Sequence, residues 1–565
     1  MFKLVKNYRL LELRSGSGSS DLPTPPSDSQ KLSFVDRKMG LLVGFSVFGF
    51  SCVTISAFQL MTRNLWLLPM SLLLAYSVIY FVISQAIYFV STDFNLKTHK
   101  RLVSGWLPTR FPTVDVFLPS CGEPLDVLHN TACGVLEMQK AYPGVVNVHC
   151  LDDAHSRNVR LLALKFGFNY HARPNKGWFK KAGNLRYGFE RTSGNFIVIF
   201  DADFRPRGDF LLELMPYFYA DESVGIVQSP QFFDVLPTQN WIERGAGAVQ
   251  ELFYRAVQVS RQASGGAICV GSNAIYRRAA LNEIGGTALI EHSEDVHTGF
   301  NLRNKGWTLK FVPVVLAKGL CPAELEAFFK QQYRWCMGSM SLLTSRKFWR
   351  TKLPLMTRLC YLSGFMYYVH TAIYAVFMPI VPLIMLYFIP EQIKLANYML
   401  ILPSFLYMHV VFPLWHRSQY GIEAASIRTV YGWAHLMAIF DKIRASAMEW
   451  HATGASSLQS SRRYLSFRVG VVVFNLVPAL LWIGGAIYHI AYSSLLDFVP
   501  MLALGTYYLF VVLKIAVNKT PKSSVAVVST ERSGTSFWTR GGLGLVTPTS
   551  HLRPSGHSAA KALVE

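Results

Sequence analysis

Two apolar stretches near the start of the chain, residues 39–61 and 65–90, each exceed the ~20 residues a helix needs to cross the hydrocarbon core of a bilayer. A tight turn at Arg63 and Asn64 joins them. Backbone in lipid must satisfy its own hydrogen bonds, so the pair is predicted to form a transmembrane hairpin. After a long polar middle, residues 371–390, 398–415, 469–492 and 496–517 read as further spans, giving two before the middle and four after. Residues 359–370 are also apolar, but Pro354 and a broken aromatic pattern point to a helix lying on the membrane surface.

Composition supports this division. Of 565 residues, 51% are hydrophobic, too many for an ordinary soluble chain that also carries a large polar middle. The net charge of +21 does not imply nucleic acid, because the basic residues gather beside apolar segments and not in one stripe. Lys31, Arg37 and Lys38 precede the first span, and Arg417, Arg428, Lys442, Arg444, Arg462, Arg463 and Arg468 fill residues 416–468. The short opposite turns hold almost none, Lys394 being the exception. Positive charge accumulates on the cytosolic side, so both termini and the middle block are expected there, with the bilayer of a plasma membrane as host. Eight cysteines without a C-x-x-C pair fit a reducing compartment. The expected organisation is a disordered cytosolic arm (1–38), a hairpin (39–92), a catalytic block (97–352), interfacial helices with four spans (353–517) and a disordered tail (518–565). Residues 1–30 lack the apolar core of a signal peptide.

Residues 113–119, 145–151, 196–201 and 224–229 are short β-branched runs, each followed by a polar turn and a helical pattern. That alternation predicts an open α/β sheet, in which ligands bind beyond the carboxyl ends of the strands. Asp152-Asp153 and Asp201-Ala202-Asp203 fall at such ends. One pair could merely cap the following helix; the series is harder to explain that way.

Each motif carries a chemistry and a plainer alternative. Asp201 and Asp203, delivered by the buried run 196–200, can hold a divalent ion against a pyrophosphate, although D-x-D alone occurs by chance. Glu294 and Asp295 open an amphipathic run; Asp295 can serve as a general base, or the pair can favour a helix dipole. Lys181, within Lys180-Lys181-Ala182-Gly183-Asn184, can meet phosphate as a point charge while Gly183 permits close backbone approach; a solvated cationic face is the alternative. Gly271 and Ser272 can line an acceptor pocket or form a turn. In Gln331-Gln332-Tyr333-Arg334-Trp335, a guanidinium offers a planar fork to phosphate and an indole a flat face to a sugar, or both pack at a membrane interface.

Taken in order, residues 118–124, Leu151-Asp152-Asp153, Lys181 to Asn184, Asp201-Ala202-Asp203, Ser293-Glu294-Asp295 and Gln331-x-x-Arg334-Trp335 make the chain resemble the processive family-2 glycosyltransferases. The similarity is to the cellulose, chitin and hyaluronan synthase group, with cellulose synthase-like β-glucan synthases nearest, and covers about residues 110 to 520. It implies a GT-A, Rossmann-like domain inserted between transmembrane helices, and an inverting transfer from a UDP-sugar. Asp152 or Asp153 would meet the uridine with Lys181 nearby, Asp201 the donor, and Asp203 with Asp201 a magnesium or manganese ion. Asp295 would be the base beside Glu294, Gln331 and Arg334 would hold the pyrophosphate, and Trp335 would stack on the acceptor sugar. Residues 450–454, Trp-His-Ala-Thr-Gly, stand where bacterial relatives carry a gating loop. No cyclic-dinucleotide domain, and no activation by such a nucleotide, is expected from the Ser/Thr-rich tail.

The function expected is a membrane β-glycan synthase that adds glucose from UDP-glucose to the non-reducing end of a growing β-1,4 or mixed-linkage glucan and exports it. Alternatives are a chitin or other polysaccharide synthase, a non-processive enzyme glycosylating a lipid, or a non-catalytic partner or transporter that kept the fold. Expected partners are the UDP-sugar, the glycan and the lipid bilayer, with a homo-oligomer or accessory subunit admitted and nucleic acid excluded.

Overall fold

The computed structural model describes residues 22–445 and 462–517. Residues 450–454, the expected gating loop, and the tail from residue 518 lie outside them. Within the described residues the middle block forms ten strands: β1 (Val114–Ser120), β2 (Val146–Asp152), β3 (Asn169–His171), β4 (Phe196–Ile199), β5 (Arg205–Pro206), β6 (Val224–Gln228), β7 (Phe232–Phe233), β8 (Ala274–Arg277), β9 (Thr308–Phe311) and β10 (Ala317–Gly319). Seven make one sheet in the order β3-β2-β1-β4-β8-β6-β9, and β5-β10-β7 make a smaller one. The four strand-like runs seen in the sequence correspond to β1, β2, β4 and β6.

β1 is buried along its whole length, as its apolar run requires of a strand covered on both faces. Val116, Leu118 and Val198 enter one core, while Phe117, Ile197 and Ile199 enter the other. Each such fully buried aliphatic or aromatic side chain contributes ~1.5–3 kcal/mol. β1, β2, β3 and β4 run parallel, whereas β8 runs antiparallel between β4 and β6. Because Ala274 pairs with both Ile199 and Gln228, the turn leading into β8 emerges beside the residues that follow β4. The reversed strand thus brings residues 271–273 to the carboxyl ends of its neighbours.

Among the described residues, five helices are long and apolar enough to cross a membrane: Met39–Arg63, Leu65–Phe89, Leu355–Phe388, Tyr464–Tyr492 and Leu495–Ala516. Two precede the catalytic block and three follow it. The remaining expected span, 398–415, is a broken segment containing Leu402–Leu406, a π-helical turn at Tyr407–Val411 and Phe412–Trp415. It runs antiparallel to the first span along nearly its full length. Arg63 meets Gln392 at one end, Gly49 abuts the Ser404 backbone midway, and Leu42 packs with Phe412 and Trp415 at the other.

Residues 359–370 are not a separate helix. They form the first half of the 34-residue Leu355–Phe388 helix, which Pro354 precedes in extended conformation without obstructing the first turn. Their aromatic pattern serves an internal cavity wall, to which Tyr361, Phe365, Tyr367 and Tyr368 contribute. The connection after Trp415 likewise holds a 22-residue helix, Ile422–Ile443, packed against the Leu325–Leu343 and Leu355–Phe388 helices with Ile427, Ala434, His435 and Ala438 buried.

The amino-terminal arm also departs from expectation, since residues 22–38 are folded against the rest of the protein. Lys31 does not anchor the arm to lipid: its ammonium donates to Asp209 at 2.7 Å and also to Glu213, while its carbonyl accepts from Val315 N–H. Asp28 pairs with Arg207, and Gln30 donates to Asp234, which also holds Lys318. Arg37, 5% exposed, pairs with Asp93 just beyond the second span. The arm is therefore a strap across the catalytic block, stabilised by charges whose partners are far away in sequence. Lys31→Ala should cost about 1.5–3 kcal/mol, the range for hydrogen bonds to charged groups, and lower the thermal midpoint of the purified protein. An unchanged midpoint would show that the strap contributes nothing.

Candidate active site

The turn after β4 presents Asp201 and Asp203 in a fixed geometry. Asp201 N–H donates to Ser272 Oγ at 2.9 Å, and the Ala202 carbonyl accepts from Thr131 Oγ1 at 2.7 Å. Ser272 is fully buried behind Asp201, and Gly271 adopts φ +73°, a conformation glycine tolerates best. A Cβ at Gly271 would stand 2.8 Å from Asp295 Oδ2. Gly271 and Ser272 thus form the turn of the two readings, and they buttress the acids; neither lines the cavity in front of them.

Lys181 sits among those acids. Its ammonium lies 2.5 Å from Asp201 Oδ1, 3.1 Å from the Gly271 carbonyl and 3.5 Å from Glu294 Oε1. Burial works against the charged form, but Asp201 and Glu294 outweigh it and raise the lysine's pKa. The residues just before it, Phe179 and Lys180, both have positive φ, at 48° and 49°. Such backbone persists only where its surroundings over-determine it. Arg173, fully buried, supplies the restraint by donating to the Trp178 carbonyl at 2.5 Å and the Lys180 carbonyl at 3.1 Å. Gly183 is small for the same reason: a Cβ there would overlap Trp178 O and Arg173 Nη1, so its close approach serves this loop.

The same Arg173 grips Asp153 through two bonds of 2.6 and 2.7 Å. Of the two consecutive acids, Asp153 borders the cavity. Asp152 is completely buried, its oxygens accepting from Ala154 N–H, Ser156 N–H and the Tyr170 hydroxyl, so it shapes the loop and does not face the cavity.

Glu294 and Asp295 open the Glu294–Asn304 helix, following Ser293 at φ 58°. Both side chains border the cavity. The pKa of Asp295 is raised, chiefly by burial and next by Glu294, with Lys181 opposing. Gln331, Arg334 and Trp335 occur at i, i+3 and i+4 on the Leu325–Leu343 helix, which places them on one face, and all three line the cavity. Burial pulls the Arg334 guanidinium down to about 10, against the pull of Glu294 and Asp201.

Two contributors receive no role from motif reading, although Glu123 lies within the 118–124 motif. Glu123, in the loop after β1, borders the cavity, and burial raises its carboxyl pKa despite a bond from Cys121 N–H. Gly338 lies one helical turn beyond Trp335, where a Cβ would overlap the Ser293 side chain and stand 3.0 Å from the His292 carbonyl. Its absence of side chain lets the Arg334-bearing helix seat directly on the turn that presents Asp295.

Glu123, Asp153, Asp201, Asp203, Glu294 and Asp295 share one cavity of about 720 Å³ with Lys181, Gln331, Arg334 and Trp335. From the acids it extends past Tyr254, Tyr361 and Tyr368 to Tyr80, Phe81, Ser84 and Tyr88 of the second span. Among the described residues no cluster of three or more His, Cys, Asp or Glu could hold a metal unaided. Asp203 nevertheless fits a cation: burial, then the charges of Asp201 and Glu123, push its pKa up to about 7, marking a carboxylate short of positive charge. Two carboxylates completed by phosphate oxygens suit a magnesium-like ion.

Gly338→Ala tests the seating of the two elements. Turnover should fall at least ~10-fold while donor affinity changes little, because a displacement near 1 Å at the reacting groups is costly even when binding survives. Steady-state kinetics with a donor-binding titration would separate the two effects, and wild-type turnover would refute the role given to Gly338.

Residues 196–415 match the family model described as glycosyl transferase family group 2. Over 261 residues, 46% of this chain, the sequence is 34% identical to a UDP-forming cellulose synthase 1 catalytic subunit of Komagataeibacter xylinus, of which that region spans 35%. The UDP-forming cellulose synthase catalytic subunit of Pseudomonas fluorescens is 32% identical over 282 residues, 47% of this chain and 37% of that protein. The matched region thus spans little more than a third of these relatives. Among solved structures, a mannosyltransferase from Pyrobaculum calidifontis in complex with GDP-Man and Mn2+ aligns over 66% of this chain and 98% of its own, with a TM-score of 0.42 and 15% identity. The Asp201–Asp203, Glu294–Asp295 and Gln331–Trp335 groups all lie in the matched region, and that region is a glycosyl transferase family 2 domain.

Proposed function

We propose that the protein is a membrane-embedded processive β-glycan synthase that transfers glucosyl units from UDP-glucose to the non-reducing end of a growing β-glucan and passes the product across the bilayer. The observation carrying this reading is the single cavity that joins the acids to an aromatic-walled passage between apolar helices. A one-step transferase acting on a lipid needs the first part but has no use for the second. Aromatic faces suit sugar rings, which are apolar above and below and polar at their edges.

In the proposed reaction Asp295 takes the proton of the acceptor hydroxyl as that oxygen bonds to the donor's anomeric carbon. The bond from that carbon to the diphosphate breaks on the opposite side, inverting the centre and releasing UDP. Trp335 supports the acceptor sugar, and Gln331 and Arg334 hold the diphosphate. Asp153 borders the uridine site, and Lys181 exchanges carboxylate for phosphate contacts when the donor enters. Asp201 and Asp203 would hold a magnesium or manganese ion, which supplies electrostatic stabilisation of the leaving diphosphate. The catalytic block and both termini are read as cytosolic, the side on which positive charge accumulates beside apolar spans.

Protein reconstituted in vesicles should release UDP from UDP-glucose and build a polymer degraded by β-1,4-glucan-specific hydrolases; resistance to every β-glucanase would reject glucan as the product. Asp295→Asn should lower kcat by ~10²–10⁴, the usual contribution of a general base, while leaving UDP affinity near wild type. Normal synthesis by this variant would exclude Asp295 as the base.

A base acts when ionised, and the folded pKa of Asp295 lies above its usual 3.8. Activity should therefore fall as pH drops through that raised value. The acid limb of kcat/KM, which reports the free enzyme, should lie above the ordinary carboxylate range. A profile flat down to pH 4 would contradict the environment assigned to Asp295.

A further inference from the structure

Among the described residues, a buried cation on the cavity wall has no task in the proposed chemistry. Arg261, on the short Gln258–Gln262 helix, is 5% exposed and lines the cavity where Tyr80 and Ser363 of the apolar helices form its wall. Its Nη2 donates to Ser363 Oγ at 3.1 Å, while its Nε has no hydrogen-bond partner. Among the described residues no carboxylate pairs with it. Other buried arginines are treated differently: Arg173 is paired with Asp153 and Arg255 with Glu251.

A guanidinium withdrawn from water without counter-charge or full hydrogen bonding is strongly disfavoured. Its retention here implies that something entering the cavity completes its bonds. The fork is rigid and purely a donor, so the missing ligand must offer oxygen acceptors. The surrounding wall narrows the class further, because Tyr80, Tyr361 and Tyr368 present ring faces and hydroxyls at the same place. Sugar units match both features.

We propose that Arg261 is a binding residue for the nascent glycan, donating to hydroxyl, ring or carboxylate oxygens of a sugar held between the catalytic block and the second span. The proposal rests on reading the cavity as a glycan conduit. It makes Arg261 a device that retains the chain between additions, distinct from the groups that transfer the sugar.

The test is equilibrium binding to the full-length protein in lipid nanodiscs, using a fluorescent β-1,4-linked glucose hexamer and the same hexamer bearing one glucuronate. UDP binding is the control for folding. Arg261→Met should weaken at least one probe by about tenfold or more, the effect of losing a hydrogen bond to a charged group. Arg261→Lys, which keeps the charge but loses the fork, should fall between, with UDP affinity within about twofold of wild type. Loss confined to the glucuronate probe identifies an acidic glycan as the ligand, and loss for the neutral hexamer identifies hydroxyl recognition; both support the proposal. It is overturned if wild type binds neither probe, or if the variants bind both as wild type does. Should Arg261→Met also lose UDP, Arg261→Lys decides. Polymer formation from UDP-glucose by wild type is scored separately, so failure of the synthase reading is recognised independently of probe binding.

Discussion

Lys181 and the acids around it form the interaction on which the rest of the site depends. Glu123, Asp201, Asp203, Glu294 and Asp295 share one largely buried cavity, and Lys181 sits between Asp201 and Glu294. Burial first, and then the like charges of neighbouring carboxylates, raise the pKa values of Asp203 and Asp295. A site arranged in this way is prepared for positive charge at one end and proton acceptance at the other. The surrounding fold holds the arrangement against its own repulsion. Ser272 fixes Asp201, Arg173 fixes the loop carrying Lys181, and the small size of Gly338 lets the Arg334 helix close over Asp295.

That dependence explains what was legible in the sequence. Asp201, Asp203, Glu294, Asp295, Gln331, Arg334 and Trp335 could be found because residue type and spacing carry their chemistry, and the structure gathers all of them around one cavity. The alternating runs announced an α/β sheet, but the antiparallel β8 was not apparent, since strand direction leaves no periodic signal. Arg173 and Gly338 went unnoticed because each matters only through a partner on another element. Asp152 and Asp153 were indistinguishable as neighbours; which one is turned inward depends on Tyr170 and Arg173.

The same distinction applies to the membrane segments. Composition located the long helices well, yet the aromatic residues of 359–370 suggested an interface where they in fact face a cavity. The broken segment ending at Trp415 lies beside the first span with irregular backbone, and Gly49 allows the two to approach closely. The amino-terminal strap is the clearest case of long-range compensation. Its lysine and arginine looked like lipid anchors, but their carboxylate partners lie on the catalytic block and beyond the second span.

The central claim is that sugar transfer and passage across the bilayer use one continuous space. It is tested most directly in inside-out vesicles supplied externally with labelled UDP-glucose and then treated with an endo-β-glucanase. The account predicts labelled polymer that resists the hydrolase until detergent opens the vesicles. Polymer fully digested without detergent would contradict it, separating catalysis from the passage that the cavity enters.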